Sequence, residues 1–125
     1  MTLADMEVNA FAATARPEEA LRFYRDVLGL PLEADEPYAL VFDCAGTQLR
    51  ISKVQEVHAA PYTVLGWRVD DIVAGMAALA SKGVTFERYE GMEQDENGVW
   101  TVPGGAMIAW FKDPDGNTLS LTQGL

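Results

Sequence analysis

The sequence predicts an α+β fold built from two βαβββ modules. Two observations predict it. The order of strand, helix and further strands occurs twice along the chain, and short stretches of the two halves resemble each other. LGLPLE (28–33) resembles KGVTFE (82–87), and GTQLRIS (46–52) resembles GNTLSLT (116–122). Two shared stretches in the same order indicate a duplication.

The duplication defines the expected domain organisation. We predict a single domain over residues 1–125, made of repeats 1–56 and 61–125 that are joined by a linker at 57–60. Duplicated units commonly leave a cleft between them, and clefts are where small molecules bind.

The first module reads as a strand, a helix and then strands. Residues 6–14 form a short apolar strand, and Pro17 suits the first position of a helix. Apolar residues recur at helical spacing up to Gly29, which suits the position after a helix end. Two strands at 38–43 and 48–53 follow, joined by a tight turn.

The second module repeats this order. A strand at 62–69 precedes a helix for which either Asp70 or Asp71 is the N-cap. Phe86 is expected to begin another strand, and strands at 107–112 and 118–123 form a final hairpin. The intervening loop 91–105 is polar and rich in glycine, so we expect it to be mobile.

Composition limits the partners and the compartment. Nine basic and nineteen acidic residues give a net charge of −10, which disfavours binding to nucleic acid. No apolar run approaches the roughly 20 residues of a membrane span. The single cysteine, Cys44, and an N-terminus without signal-peptide character lead us to expect a cytoplasmic protein.

Three stretches carry a family resemblance: FYRDVLGLPLE (23–33), GWRVDDI (66–72) and WFKDPDGNTLSLTQ (110–123). They resemble signatures of the vicinal oxygen chelate superfamily, which includes glyoxalase I, bleomycin-resistance proteins and extradiol dioxygenases. The resemblance implies two modules that form curved four-stranded half-barrels of mixed sheet around a cleft. It also implies a homodimer, since two subunits of this family often share a cleft.

Enzymes of this family hold a divalent metal with one residue from each of four strands, mostly His and Glu. The matching positions here are Asn9, Arg50, Val64 and Ser120. Amide, aliphatic and hydroxyl groups are poor ligands for the usual divalent metals, and a guanidinium repels a cation. We therefore expect no metal cofactor. His58, the only histidine, is expected to be an exposed linker residue.

The resemblance and strand alternation together predict a ligand-binding face. We expect this face to be uncharged except for two arginines, and to have aromatic walls. The predicted ligand-binding residues are Asn9, Phe11, Gln48, Arg50, Val64, Arg68, Trp100, Trp110 and Ser120. Two alternatives stay open: Trp110 as a core residue, and Arg68 as a residue whose guanidinium lies at the rim of the cleft.

These observations favour a glyoxalase- or bleomycin-resistance-like protein that binds a small organic molecule in a cleft formed with a second subunit. One alternative is a lyase, isomerase or dioxygenase of the same superfamily that uses an atypical metal or none. Another is a non-catalytic module that serves a protein partner. The sequence leaves open whether any reaction is catalysed.

Overall fold

The computed structural model describes all residues from 1 to 125. The chain forms two compact units, Met1–His58 and Ala59–Leu125. Each unit contains one open four-stranded mixed sheet and one α-helix. The predicted α+β fold of two βαβββ modules is therefore confirmed.

The first unit follows the order strand, helix and three strands. Its elements are β1 (Asn9–Thr14), α1 (Pro17–Arg22), a π-helical turn (Phe23–Val27), β2 (Leu32–Asp35), β3 (Ala39–Cys44) and β4 (Thr47–Lys53). The strands lie in the order β1-β4-β3-β2. Strands β1 and β4 are parallel, and the other pairs are antiparallel.

The core of the first unit is built by strand alternation. Leu49 and Ile51 on β4 are fully buried, whereas the neighbouring Arg50 is half-buried on the opposite face. The rings of Tyr24 and Phe42 lie 5.9 Å apart in this core. Burying such side chains contributes about 1.5–3 kcal/mol each, which fixes which face of the sheet is covered.

The second unit repeats the order with one much shorter strand. Its elements are β5 (Thr63–Arg68), α2 (Ile72–Ala80), β6 (Trp100–Thr101), β7 (Met107–Lys112) and β8 (Thr118–Gln123). The strands lie in the order β5-β8-β7-β6, with β5 parallel to β8. The predicted final hairpin is confirmed at both of its strands.

Helix α2 covers one face of this second sheet by packing on β7 and β8. Its N-cap is Asp71, whose carboxylate accepts a hydrogen bond from the backbone N–H of Ala74 at 3.1 Å. Gln123 at the end of β8 also accepts from the backbone N–H of Ile72 at 2.8 Å. Capping satisfies N–H groups that the helix itself leaves without partners.

Two sequence-based expectations differ from the structure. The strand expected at Phe86 is reduced to a single bridge with Phe111, because the chain then turns into the long loop. Strand β2 was not predicted as a separate strand. It is short, it lies at the sheet edge, and its pairing with β3 is interrupted by a bulge.

No helix in the chain has both the length and the apolar character needed to cross a bilayer.

The side chain of His58 is 85% exposed, which confirms the expectation of an exposed linker histidine.

Candidate functional site

The candidate site is built on the hairpin of β7 and β8. Asp113, which begins the turn, is 6% exposed. One of its carboxylate oxygens accepts hydrogen bonds from the backbone N–H groups of Asp115 and Asn117, each at 2.9 Å. The other accepts from the side-chain amide of Asn117 at 2.8 Å. Asp113 therefore fixes the turn that sets the register of the two strands.

Trp110 dominates the face of this sheet opposite the helix. Its indole Nε1–H donates to Thr63 Oγ1 at 2.9 Å. The donor lies on β7 and the acceptor on β5, and β8 lies between these strands. The indole must therefore cross β8 near its register partner Ser120, which is only 5% exposed.

Gly66 allows Ser120 to fit beneath this covering. The two residues are register partners on β5 and β8, and a Cβ at Gly66 would lie 2.4 Å from Ser120 Oγ. A side chain at position 66 would therefore require the serine hydroxyl to rotate away.

Two further aromatic rings hold Trp110 in place. Trp100 on β6 lies beside it, with centroids 6.2 Å apart and planes inclined by 28°. Tyr89 meets it edge to face, with centroids 5.6 Å apart and planes at 81°. Both arrangements are favourable for aromatic pairs. Burial, and secondarily the nearby Glu87 carboxylate, raises the pKa of Tyr89, so its phenol stays neutral at physiological pH.

A groove of about 520 Å³ opens beside Trp110. Its volume lies within the range of about 300–1,000 Å³ that is typical of small-molecule sites. The lining is mostly aromatic or apolar, with one ammonium, two threonine hydroxyls and two tyrosine phenols. The lining residues are Pro61, Tyr62, Thr63, Tyr89, Met92, Trp110, Lys112 and Thr118.

The loop that supplies one wall of the groove is tied down by Gln94. Its side-chain oxygen accepts from the backbone N–H of Tyr89 at 2.7 Å, and its amide nitrogen donates to the carbonyls of Glu87 and Gly98. The Arg88 guanidinium also donates to three loop carbonyls. These bonds give the segment that was expected to be mobile a defined conformation next to Tyr89.

Four predicted ligand-binding residues lie together on the first sheet. Asn9 pairs with Gln48, and Phe11 pairs with Arg50, across β1 and β4. The Arg50 guanidinium donates to Glu36 at 2.7 Å and to Gln48 at 3.3 Å. Arg50 is thus already paired with a carboxylate, which weakens its attraction for an anionic ligand.

The other predicted residues belong to the second sheet but do not all meet. Trp110 and Ser120 are register partners, and Trp100 supports Trp110 without lining the groove. Val64 is the extra residue of a bulge in β5 and is 37% exposed. Arg68 lies further along β5, where its guanidinium donates to the backbone carbonyl of Leu125 at 3.5 Å.

The family's metal positions do not provide a ligand set. No group of three or more His, Cys, Asp or Glu side chains lies close enough to hold a metal ion. Arg50 is engaged by Glu36, and Ser120 is buried beneath the indole-bearing face. The residues at these positions do not fit a divalent metal.

Sequence reasoning missed most of the groove. The expectation that two arginines are the only charges on the predicted face is wrong, because Lys112 shares the face of Trp110 and bonds Thr118. The two-residue spacing from Trp110 to Lys112 was a usable signal. The bulge in β5 places Thr63 opposite Thr118, where strand alternation alone had predicted Val64 on this face. Tyr89 and Met92 lie in irregular segments, which have no periodic pattern.

Comparison with known families gives a match over nearly the whole chain. The family model described as Glyoxalase/Bleomycin resistance protein/Dioxygenase superfamily matches residues 8–121. Among curated protein sequences, none is significantly similar to this chain.

Solved structures show the same fold at low sequence identity. A lactoylglutathione lyase from Agrobacterium tumefaciens is 19% identical, with a TM-score of 0.75 over 96% of this chain and 94% of that chain. A member of the glyoxalase/bleomycin resistance protein/dioxygenase superfamily from Sphaerobacter thermophilus is 22% identical. Its TM-score is 0.73 over 98% of this chain and 99% of that chain. At such identities the likeness concerns the fold alone.

Proposed function

Since the chain belongs to the glyoxalase/bleomycin resistance protein/dioxygenase superfamily, we propose that it is a binding protein for a small aromatic molecule and needs no divalent metal. The observation that carries this proposal is the groove of about 520 Å³ beside Trp110. Aromatic walls with a few polar groups are the usual composition of small-molecule sites.

The metal-free part of the proposal is supported by the donor groups at the family's ligand positions. An amide, a guanidinium, an aliphatic side chain and a hydroxyl stand there, at Asn9, Arg50, Val64 and Ser120. A tightly held divalent metal needs carboxylate, imidazole or thiolate ligands. Binding should therefore be unchanged after the protein is dialysed against EDTA.

The binding role is tested with two matched tyrosines. Small aromatic compounds are screened by thermal shift against EDTA-treated protein, and the affinities of the hits are measured by calorimetry. Tyr62 lines the groove and is 68% exposed, so Tyr62→Ala removes an aromatic contact without emptying the core. An aromatic contact is worth about 0.5–1.5 kcal/mol, so affinity should fall roughly twofold to thirteenfold.

Tyr38→Ala is the control, because Tyr38 is 79% exposed and does not line the groove. It should leave the affinity unchanged. Equal losses in both variants, or no loss in Tyr62→Ala, would place the bound compound outside the groove. A screen without any hit would contradict the binding role itself.

We also propose that the protein acts as a homodimer in which a second copy completes the site. Large apolar side chains on the first unit support a contact between copies: Val8 is 75% exposed and Phe11 is 57% exposed. Light scattering coupled to gel filtration should give twice the monomer mass, and a monomer at micromolar concentration would contradict the proposal.

A further inference from the structure

We propose that the molecule bound in the groove is an aromatic carboxylate. Its ring would pack against Trp110 and Tyr62, and its carboxylate would accept hydrogen bonds from Lys112 and Thr118. This inference rests on the proposed binding function and adds the chemical class of the ligand. It follows from the arrangement of donors, charges and rings along the groove.

The first observation is the state of Lys112. Its ammonium donates to Thr118 Oγ1 at 2.8 Å. Lys112 takes part in none of the ion pairs of the chain, which join Arg16, Arg25, Arg50, Lys53 and His58 to carboxylates. Since an ammonium has three donor hydrogens, two remain for a ligand. The groove thus has a full positive charge without a protein counter-ion.

The second observation concerns the two threonine hydroxyls. Thr118 Oγ1 accepts from Lys112, and Thr63 Oγ1 accepts from the Trp110 indole. A hydroxyl that accepts a bond still has its own hydrogen to donate. Both threonines line the groove, so its polar part presents an ammonium and two hydroxyl donors together. An ionised carboxylate, which only accepts, is complementary to this set.

The third observation is that no acidic residue lines the groove. The chain has nineteen acidic residues and a net charge of −10, so its distant field opposes an anion. At physiological ionic strength that field is screened over about 8 Å, whereas Lys112 is in direct contact with the groove. The local ammonium therefore decides the sign of the preferred ligand, and the distant charges act mainly at low salt.

The rings of the groove explain why the carboxylate should carry an aromatic group. Trp110 and Tyr89 meet edge to face, and Tyr62 and Met92 add apolar surface. Aromatic faces also attract cations, so an organic amine is the competing ligand class. An amine would place its charge beside the ammonium of Lys112, where like charges repel. The balance of charges favours the carboxylate.

Three probes with the same ring separate these classes: phenylacetate, phenethyl alcohol and phenethylamine. Their affinities are measured by calorimetry on the full-length, EDTA-treated protein at physiological salt. Phenylacetate should bind about tenfold more tightly than the alcohol, and the amine should bind most weakly. Lys112→Met should remove most of the preference for phenylacetate over the alcohol. The alcohol should lose less affinity, because its neutral oxygen would form the weaker bond to the ammonium.

Lys82→Met is the control for the lost charge, because Lys82 is an exposed residue that does not line the groove. It should preserve the preference for phenylacetate. Equal affinities for the three probes, tightest binding of phenethylamine, or a preference that survives in Lys112→Met would each overturn the carboxylate assignment while leaving the binding function intact. Absence of binding by all three probes would overturn both.

Discussion

At the scale of single residues, the hydroxyl face of β8, formed by Thr118, Ser120 and Thr122, supports the proposal that the chain needs no metal. Ser120 occupies the position where the resemblance implies a glutamate, and Trp110 reaches across it to Thr63. A Cβ at Gly66 would lie 2.4 Å from Ser120 Oγ, so the serine hydroxyl lies against the backbone of its register partner. We expect a longer side chain at position 120 to require a rearrangement of the indole that crosses β8.

The close fit at Gly66 gives a prediction about stability. Gly66→Ala would put a Cβ 2.4 Å from Ser120 Oγ, so Ser120 must leave its present rotamer and the free energy of unfolding should fall by about 0.5–1.5 kcal/mol. Adding Ser120→Ala should restore most of that loss, because the next contacts of the new Cβ lie at 3.4 and 3.7 Å. Urea denaturation of the single and double variants measures both effects.

Gly75→Ala is the control for replacing a glycine in the same unit. Its Cβ would meet Leu121 Cδ1 at 3.4 Å, an ordinary contact, and alanine is the better helix former by about 1 kcal/mol. This variant should be as stable as the parent or more so. If Gly66→Ala behaves like Gly75→Ala, or if Ser120→Ala gives no rescue, the proposed packing is wrong.

At the scale of elements, the sequence predicted the parts with strong local signals. The DPDGN turn and the flanking alternation predicted both strands of the last hairpin, and Asp113 shows why the turn forms. Strand β2 was not predicted because it is only four residues long and its pairing with β3 is interrupted by a bulge. The single bridge at Phe86 and the bulge at Val64, which moved Thr63 from the expected face, depend on partner strands distant in sequence.

The N-cap of α2 is a second testable feature at this scale. The sequence left Asp70 and Asp71 as alternatives, and the structure assigns the cap to Asp71 through its bond to Ala74. Asp71→Ala should lower the free energy of unfolding by about 0.5–2 kcal/mol. Asp70→Ala removes the same charge without removing the cap, so thermal or urea denaturation should show little change. Equal losses in the two variants would contradict the assignment.

At the scale of the whole molecule, the duplicated fold was predictable, but the groove was only partly so. The sequence predicted Trp110 as a ligand-binding residue. It did not predict Tyr89 and Met92, which reach the groove from an irregular segment that Gln94 holds in place. Aperiodic segments carry no pattern from which side-chain direction follows. The two modules differ in the charges that their predicted ligand-binding faces carry. Arg50 of the first module is paired with Glu36, while Lys112 of the second bonds Thr118 and has no carboxylate partner.

The most direct test of the account is a titration of EDTA-treated protein with phenylacetate, followed by the NMR signals of the three tryptophan indole N–H groups. Trp110→Phe and Trp67→Phe assign two of them. The Trp110 signal should shift progressively to saturation, because its ring lines the groove. The signal of Trp67 should stay in place. Its strand neighbour Gly66 faces Ser120, so Trp67 points to the opposite face of the sheet. A Trp110 signal that does not move at saturating phenylacetate would contradict ligand binding in the groove.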